Sequence, residues 1–393
     1  ARTLIQVQLA MERAEARSDV ILSCAAENST RHKGSFMPTE PKYLMNTWYV
    51  AALSPEIDSE ALFSRRILDL GILFYRTGDG EVVAWRDRCP HRFLPLSNGT
   101  RKGDDIVCHY HGLQFDSAGH CTLNPHGNGR IRDGSLIHSF PVVERNGFVW
   151  IWPGDPARAD VEKILDCDIL SQNPVDSTFH LYMHNEASAQ LLTDNIMDLS
   201  HIDHLHGPII NTGGQLSPLL PQVQEIGDDV AIRWDWAADP AFLLLAQNLQ
   251  RPQDPARQFF SVHWRAPSNM HLQVGAIQGD GDYDDDGIVL YDFHLMTPET
   301  STTSHYFFAS TRNYLQHDAA YNEQHKTGLG EAFMTEDKPV IERQQAEIGD
   351  VDLFDLDPVI LSSDAGAVRV RRKLKAMIEA EHREREQLAR VSS

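Results

Sequence analysis

Basic residues are scarce in this sequence: 35 Lys and Arg face 56 Asp and Glu, leaving a formal charge of −21 over 393 residues. A surface that acidic repels nucleic acid and anionic membranes, so neither is expected as a partner, whereas a basic protein would be attracted. Cysteine is scarce too. Cys24, Cys89, Cys108, Cys121 and Cys167 form an odd, sparse set that does not read as a disulfide framework. No apolar run of about 18 residues offers a membrane span. Residues 1–36 are polar and lack the apolar centre of a secretory signal. Together these absences lead us to expect a reduced, cytoplasmic protein. Also missing are a G-x-G-x-x-G turn after a strand, which would hold a dinucleotide, and a plant-type run of four cysteines.

What remains is ordinary for a globular chain: 41% hydrophobic and 23% charged residues, with length for about two domains. We read 1–36 as an extension without chemistry, with a short helix at Ala10–Arg17. From Trp48 to Trp152 short apolar runs alternate with turn formers such as Thr77-Gly78-Asp79-Gly80, and Asn146-Gly147 is a strong two-residue hairpin signal. Pro153-Gly154-Asp155-Pro156 punctuates the chain, giving domains at 37–154 and 155–393. The second half mixes a helical segment over Glu186–Leu205 with strand-like stretches at Val230–Trp236, Phe259–Arg265, Met270–Ile277, Ile288–Met296 and Ser304–Thr311. Helices come next around Ala319–Gly349 and Ala365–Leu388. The acidic stretch Asp280–Asp286 lacks the glutamate a calcium loop needs, since Phe293 occupies that place, and reads as a hairpin tip.

Two constellations carry chemistry. Cys89-Pro90-His91 and Cys108-His109-Tyr110-His111 form the pattern C-x-H-x16-C-x2-H. Two cysteines and two histidines first suggest structural zinc. Each half, however, pairs one thiol with one imidazole on a tight turn, which suits a 2Fe–2S centre with two thiolates on one iron and two imidazoles on the other. The second constellation is Asn195-Ile196-Met197-Asp198-Leu199-Ser200-His201-Ile202-Asp203-His204-Leu205-His206. Asp198 and His201 would share a helical face. His206 lies roughly 140° beyond a full turn from His201, so it meets His201 only if the helix loosens before Gly207-Pro208. Two histidines plus a carboxylate with open positions is the usual cradle of oxygen-activating ferrous iron. Spacing alone leaves the carboxylate open among Glu331, Glu336, Asp337 and Asp350, and the histidines alone could equally be a solvated helix end.

Together the motifs resemble the Rieske non-haem iron oxygenases, over nearly the whole chain from about Trp48. Met45–Leu53, Asn124–Gly129 and Leu295–Thr300 look like the vanillate and dicamba O-demethylase branch. The resemblance implies an α+β chain: an all-β Rieske 2Fe–2S domain followed by a helix-grip catalytic domain, an antiparallel sheet with long helices. It implies one 2Fe–2S cluster on Cys89, His91, Cys108 and His111, and one Fe(II) on His201, His206 and Asp337, with His204 outside the set. O2 would be the co-substrate. Electrons from NAD(P)H would arrive through a separate flavin and iron–sulfur reductase or a ferredoxin. Asn195 belongs to the motif. Asp198 matches the carboxylate that links a cluster histidine of one subunit, His111, to His201 of its neighbour in a homotrimeric ring. The implied reaction is hydroxylation of an aryl methyl ether, whose hemiacetal collapses to formaldehyde and a phenol. Ring cis-dihydroxylation and, in a different class, a pure electron carrier are the alternatives. His294, Leu272 and Met270 are candidate substrate contacts for a small aromatic. The branch tends to have an aromatic residue nine positions before the iron aspartate, but Gly328 stands there, implying a larger or differently shaped pocket.

Overall fold

The computed structural model describes residues 42–132 and 135–391; the extension 1–36, with the expected helix at Ala10–Arg17, and Cys24 lie outside them. The chain divides into two compact units between Ile164 and Leu165, with the residues from Glu381 onward belonging to the first unit. It therefore does not leave the first unit at the Pro153–Pro156 turn. The stretch beyond is tied back by side chains: Asn46 accepts from the Asp155 amide (2.8 Å), Trp152 Nε1 donates to the Asp155 carbonyl (2.9 Å), and Trp48 Nε1 donates to the Asp160 carbonyl (2.7 Å). Among the described residues no helix is long and apolar enough to cross a membrane.

Among its described residues the first unit has eleven short strands: β1 (Tyr49–Leu53), β2 (Phe63–Ile67), β3 (Leu70–Arg76), β4 (Val82–Arg86), β5 (Thr100–Lys102), β6 (Asp105–Val107), β7 (Gln114–Phe115), β8 (Cys121–Leu123), β9 (Ser139–Phe140), β10 (Val142–Arg145) and β11 (Phe148–Ile151). They form three antiparallel sheets in the orders β1-β11-β10, β2-β3-β4-β9 and β5-β6-β7-β8. The Asn146-Gly147 hairpin joins β10 to β11, and both turn residues adopt the positive φ (56° and 81°) that this tight turn requires. One apolar core gathers Leu73, Tyr75, Trp85, Leu96, Ile106 and Phe115 around the buried Cys89 and Cys108.

The second unit holds one antiparallel sheet of seven strands: β12 (Phe179–Asn185), β13 (Gln222–Ile226), β14 (Asp229–Ala238), β15 (Ala256–Arg265), β16 (Asn269–Ile277), β17 (Ile288–Pro298) and β18 (Ser304–Arg312), ordered β12-β18-β17-β16-β15-β14-β13. The five longer strands coincide with the apolar runs of the sequence. β12 and β13 are edge strands of mixed polarity, which hides them from an apolar pattern. The chain is thus α+β: this unit also holds the helices Ala189–Met197, Ala319–Ala332 and Lys338–Ile348 and the part of Ala365–Val391 that precedes Glu381.

The segment Glu186–Leu205 is not one helix. The Ala189–Met197 helix starts on Ser188, which caps Leu191 N, and stops at Asp198, whose backbone is extended (φ −135°, ψ 94°). A 3-10 turn, Leu199–His201, leads into a one-turn helix, Ile202–Leu205. The Asp198 side chain drives the break by capping the new turn, accepting from Ser200 N at 3.0 Å. Asp198 and His201 therefore do not share a regular helical face.

Candidate iron sites

The two cysteine–histidine loops of the first unit are built alike. Cys89 N donates to Leu94 O and Phe93 N donates to Cys89 O; Cys108 N donates to Leu113 O and Gly112 N donates to Cys108 O, all at 2.9 Å. The fourth residue after each cysteine, Phe93 or Gly112, has the same left-handed backbone (φ 63° and 70°). Both loops lie between strands, and they bring the His91 and His111 rings to 4.4 Å between centroids. The two thiols are buried, and burial pushes the Cys89 thiol up to about 11. His126 Nε2 donates to the His111 carbonyl at 2.7 Å, which ties the second loop to Asn124–Gly129. His111 Nδ1 is buried and has no hydrogen-bond partner among the described residues. Two thiols side by side, two imidazoles side by side and an orphaned ring nitrogen fit a 2Fe–2S group with a thiolate iron and an imidazole iron.

The second unit assembles His201, His206 and Asp337, whose ligand atoms lie within 4.8 Å of one another. His201 sits at the end of the 3-10 turn. Its Nδ1 donates to the Asp198 carbonyl at 2.7 Å, so Nε2 carries the lone pair and faces Asp337 Oδ1 at 3.5 Å. It is thus the Asp198 backbone, not its carboxylate, that orients His201. His206 leaves the one-turn helix in extended conformation (φ −84°, ψ 151°), the loosening that its spacing demanded. Its Nδ1 donates to Glu336 Oε2 at 2.6 Å, and its Nε2 lies 3.5 Å from Asp337 Oδ2.

Asp337 closes a π-helical turn, Phe333–Asp337, between the two long helices. Pro339 explains the widening: it has no N–H for the carbonyl of residue 335, and its ring clashes with an α-helical turn there. The turn aims two consecutive carboxylates at the same site, Glu336 onto His206 Nδ1 and Asp337 between the two Nε2 atoms. Asp337 is buried, and its Oδ2 has no hydrogen-bond partner among the described residues. Asn195 Nδ2 donates to Asp337 Oδ1 at 3.2 Å and lies 3.4 Å from His201 Nε2. The helix after Asp337 is fastened near Ser188: Ser188 N donates to Gln345 Oε1 (2.8 Å), Glu186 N to Glu342 Oε1 (2.9 Å), and Lys338 Nζ to the His184 carbonyl (2.8 Å). Two tautomer-fixed imidazoles and a buried carboxylate with one oxygen left over fit a divalent iron with open positions.

Several residues fall elsewhere. His204 is exposed, with Nε2 at 3.2 Å from Ser217 Oγ. Glu331 lines a neighbouring cavity, outside the three-ligand group. Asp203, unremarked in the sequence, organises the loop after it by accepting from Leu216 N, Ser217 N and the Thr212 hydroxyl.

The three ligand candidates open onto a cavity lined chiefly by apolar groups, including Ile202, Phe242, Phe260, Leu290 and Phe333. Leu272 and His294 belong to its wall. Met270 does not: it pairs with His294 across β16 and β17 and is fully buried in the sheet. Beyond Ile210, Leu244, Leu329 and Ala332 lies a second cavity that includes Gly328, where a Cβ would meet nothing within 4 Å.

Two family models match this chain: the Rieske [2Fe-2S] domain over residues 47–141 and the vanillate O-demethylase oxygenase C-terminal domain over 185–380. The chain is 37% identical over 343 residues to the dicamba O-demethylase oxygenase component of Stenotrophomonas maltophilia, covering 86% of this chain and 99% of that protein. The chain belongs to the Rieske non-haem iron oxygenases, in the vanillate and dicamba O-demethylase branch. It is also 35% identical to the chloroacetanilide N-alkylformylase oxygenase component of Rhizorhabdus wittichii (87% and 97% covered). The crystal structure of dicamba monooxygenase with non-haem iron and dicamba superposes with a TM-score of 0.72 at 33% identity, covering 87% of this chain and 99% of that one. As a Rieske oxygenase, the protein is an oxidoreductase that uses a 2Fe–2S cluster, a mononuclear iron and O2.

Proposed function

We propose that the protein is the terminal oxygenase of a multicomponent, cytoplasmic system that hydroxylates the methyl group of a small methoxylated aromatic. Cys89, Cys108, His91 and His111 would hold the cluster, and His201, His206 and Asp337 the catalytic iron. The bound metals supply electron storage and oxygen activation; every other requirement falls on the protein. The observation that carries this reading is the His201–His206–Asp337 group opening onto an apolar cavity. A dry wall holds an aromatic ring against the site and keeps bulk water away from it. Asn195 holds Asp337 in place, while Asp198 O and Glu336 hold both imidazoles with their Nε2 lone pairs inward.

One oxygen atom of O2 enters the methyl C–H bond and the other leaves as water, with two electrons and two protons consumed. The hemiacetal then breaks its methyl C–O bond to give formaldehyde and the phenol. A dinucleotide motif is absent from the sequence, so the electrons are assigned to a separate reductase or ferredoxin. Assembly is assigned to a homotrimer in which the Asp198 carboxylate faces a cluster histidine of the adjacent subunit. The test is formaldehyde release from methoxylated aromatics by the purified chain with a reductase, NADH and O2. Stoichiometric formaldehyde supports O-demethylation; a cis-diol product would replace it by dihydroxylation.

A further inference from the structure

The cavity wall carries two polar groups that neither iron binding nor electron delivery explains. Asp292 and His294 lie two residues apart on β17, so both side chains project from the same face of the sheet. Both are buried, at 3% and 0% exposure, and both line the cavity. Among the described residues, Asp292 Oδ1 and His294 Nε2 have no hydrogen-bond partner. Leaving two such atoms bare in an apolar cavity is costly unless a ligand completes them.

The neighbours fix what each atom offers. Tyr306 is buried on β18, and its hydroxyl meets His294 Nδ1 at 2.5 Å. That is the hydroxyl's one hydrogen bond among the described residues, so it donates, and the neutral imidazole carries its proton on Nε2. Burial holds His294 neutral, lowering it to about 3. On the other side, burial raises the Asp292 carboxyl to about 7, and the Ser310 hydroxyl, paired with Asp292 across β17 and β18, donates to it and so favours its ionised, accepting form. Ser310 Oγ in turn lies 3.3 Å from His325 Nε2. Having given its proton to Asp292, Ser310 must accept from His325. The relay therefore ends on Asp292 as an acceptor. The cavity presents an acceptor, Asp292 Oδ1, beside a donor, His294 Nε2–H.

Charge sets the rest. No Lys or Arg is among the described residues that line the cavity. A ligand carboxylate at the β17 wall would sit against the buried Asp292 carboxyl with no lysine or arginine beside it, and an unpaired charge next to an acidic group in an apolar wall is strongly disfavoured.

We propose that Asp292 is a specificity residue that makes the cavity a receptor for uncharged ortho-alkoxyphenols in preference to benzoate anions. The phenolic hydroxyl donates to Asp292 Oδ1 and the adjacent ether oxygen accepts from His294 Nε2, which presents the ether's methyl group to the iron site. This assignment rests on the O-demethylase reading and names its substrate class.

Calorimetry on the metal-loaded enzyme without reductase measures binding of 2-methoxyphenol and 2-methoxybenzoate in the absence of turnover. The native protein should bind the phenol roughly tenfold or more tighter than the benzoate. Asp292→Asn, nearly isosteric and checked for an unchanged cluster spectrum and iron content, should weaken the phenol by about as much and tighten the benzoate. Equal or tighter binding of the benzoate by the native protein overturns the proposal with no variant needed, and so does an unchanged ratio in a folded Asp292→Asn. Formaldehyde assays separate the two layers. Phenol selectivity without formaldehyde removes the O-demethylase reading and leaves Asp292 as the determinant, whereas formaldehyde from the benzoate in preference to the phenol does the reverse.

Discussion

Glu336 accepts a 2.6 Å hydrogen bond from Nδ1 of His206, while the next residue, Asp337, faces the opposite nitrogen of the same ring. Composition offered Glu336 as a rival iron ligand, but the structure gives it the task of fixing the tautomer and aim of His206. Glu336→Ala should keep the fold and lower affinity for the mononuclear iron by about 10- to 100-fold. Chelator competition followed by metal analysis reads that change, with the cluster absorbance as an internal control. Unaltered iron affinity would assign Glu336 to the surface.

Asp337→Ala should lose one iron per chain while acid-labile sulfide and the visible spectrum of the cluster stay at native levels, because the two donor sets share no residue. Retention of that iron would move the third ligand elsewhere.

His111→Ala removes one of the two imidazoles of the first site. The expected outcome is loss of the Rieske absorption and of all turnover. A purified variant with its visible spectrum intact would contradict the cluster assignment.

Asp198→Asn separates the residue's two roles. The carbonyl that orients His201 survives the substitution, and an asparagine side chain can still cap Ser200. Iron and cluster should therefore both remain. If the carboxylate is the inter-subunit link, a single turnover with pre-reduced enzyme, substrate and O2 should show slow cluster reoxidation and little product. Native reoxidation coupled to product would leave Asp198 with the carbonyl role alone.

Arg371 makes a two-pronged ion pair with Asp194 on the Ala189–Met197 helix, at 2.6 to 2.9 Å. Burial raises the Asp194 carboxyl even against this partner. Arg371→Met should leave that part-buried carboxyl unpaired, lowering the unfolding free energy by about 1–3 kcal/mol. Denaturant unfolding measures it; a change within experimental error would mean that Asp194 is rehydrated without loss.

The sequence made its local features legible. The two cysteine–histidine loops, the Asn146-Gly147 hairpin and the five long apolar strands are contiguous patterns, so their periodicity or spacing suffices. His201 and His206 are close in sequence, and the need for a loosened helix between them came from the rise and rotation of the helix. The break at Asp198 was hidden, because a side chain that caps the next turn competes with helix propensity only in its tertiary setting. Asp337 required the family resemblance, since it is far along the chain from both histidines. Asp292 was half legible: two residues before His294 on an expected strand it shares that residue's face, but only the register of β16, β17 and β18 shows the face to be buried.

The π-helical turn at Phe333–Asp337 amounts to one surplus residue in an otherwise regular rod. Removing that residue ahead of Glu336 would let the rod close to 3.6 residues per turn with the flanking helices still nearly in phase, because five residues of the wide turn sweep about as far as four of a regular one. The rod itself would survive, yet the local bulge that turns Glu336 and Asp337 toward the two imidazoles would be gone. The carboxylate geometry is thus stored as a count of residues, and a one-residue deletion there should weaken metal binding with every ligand still in place.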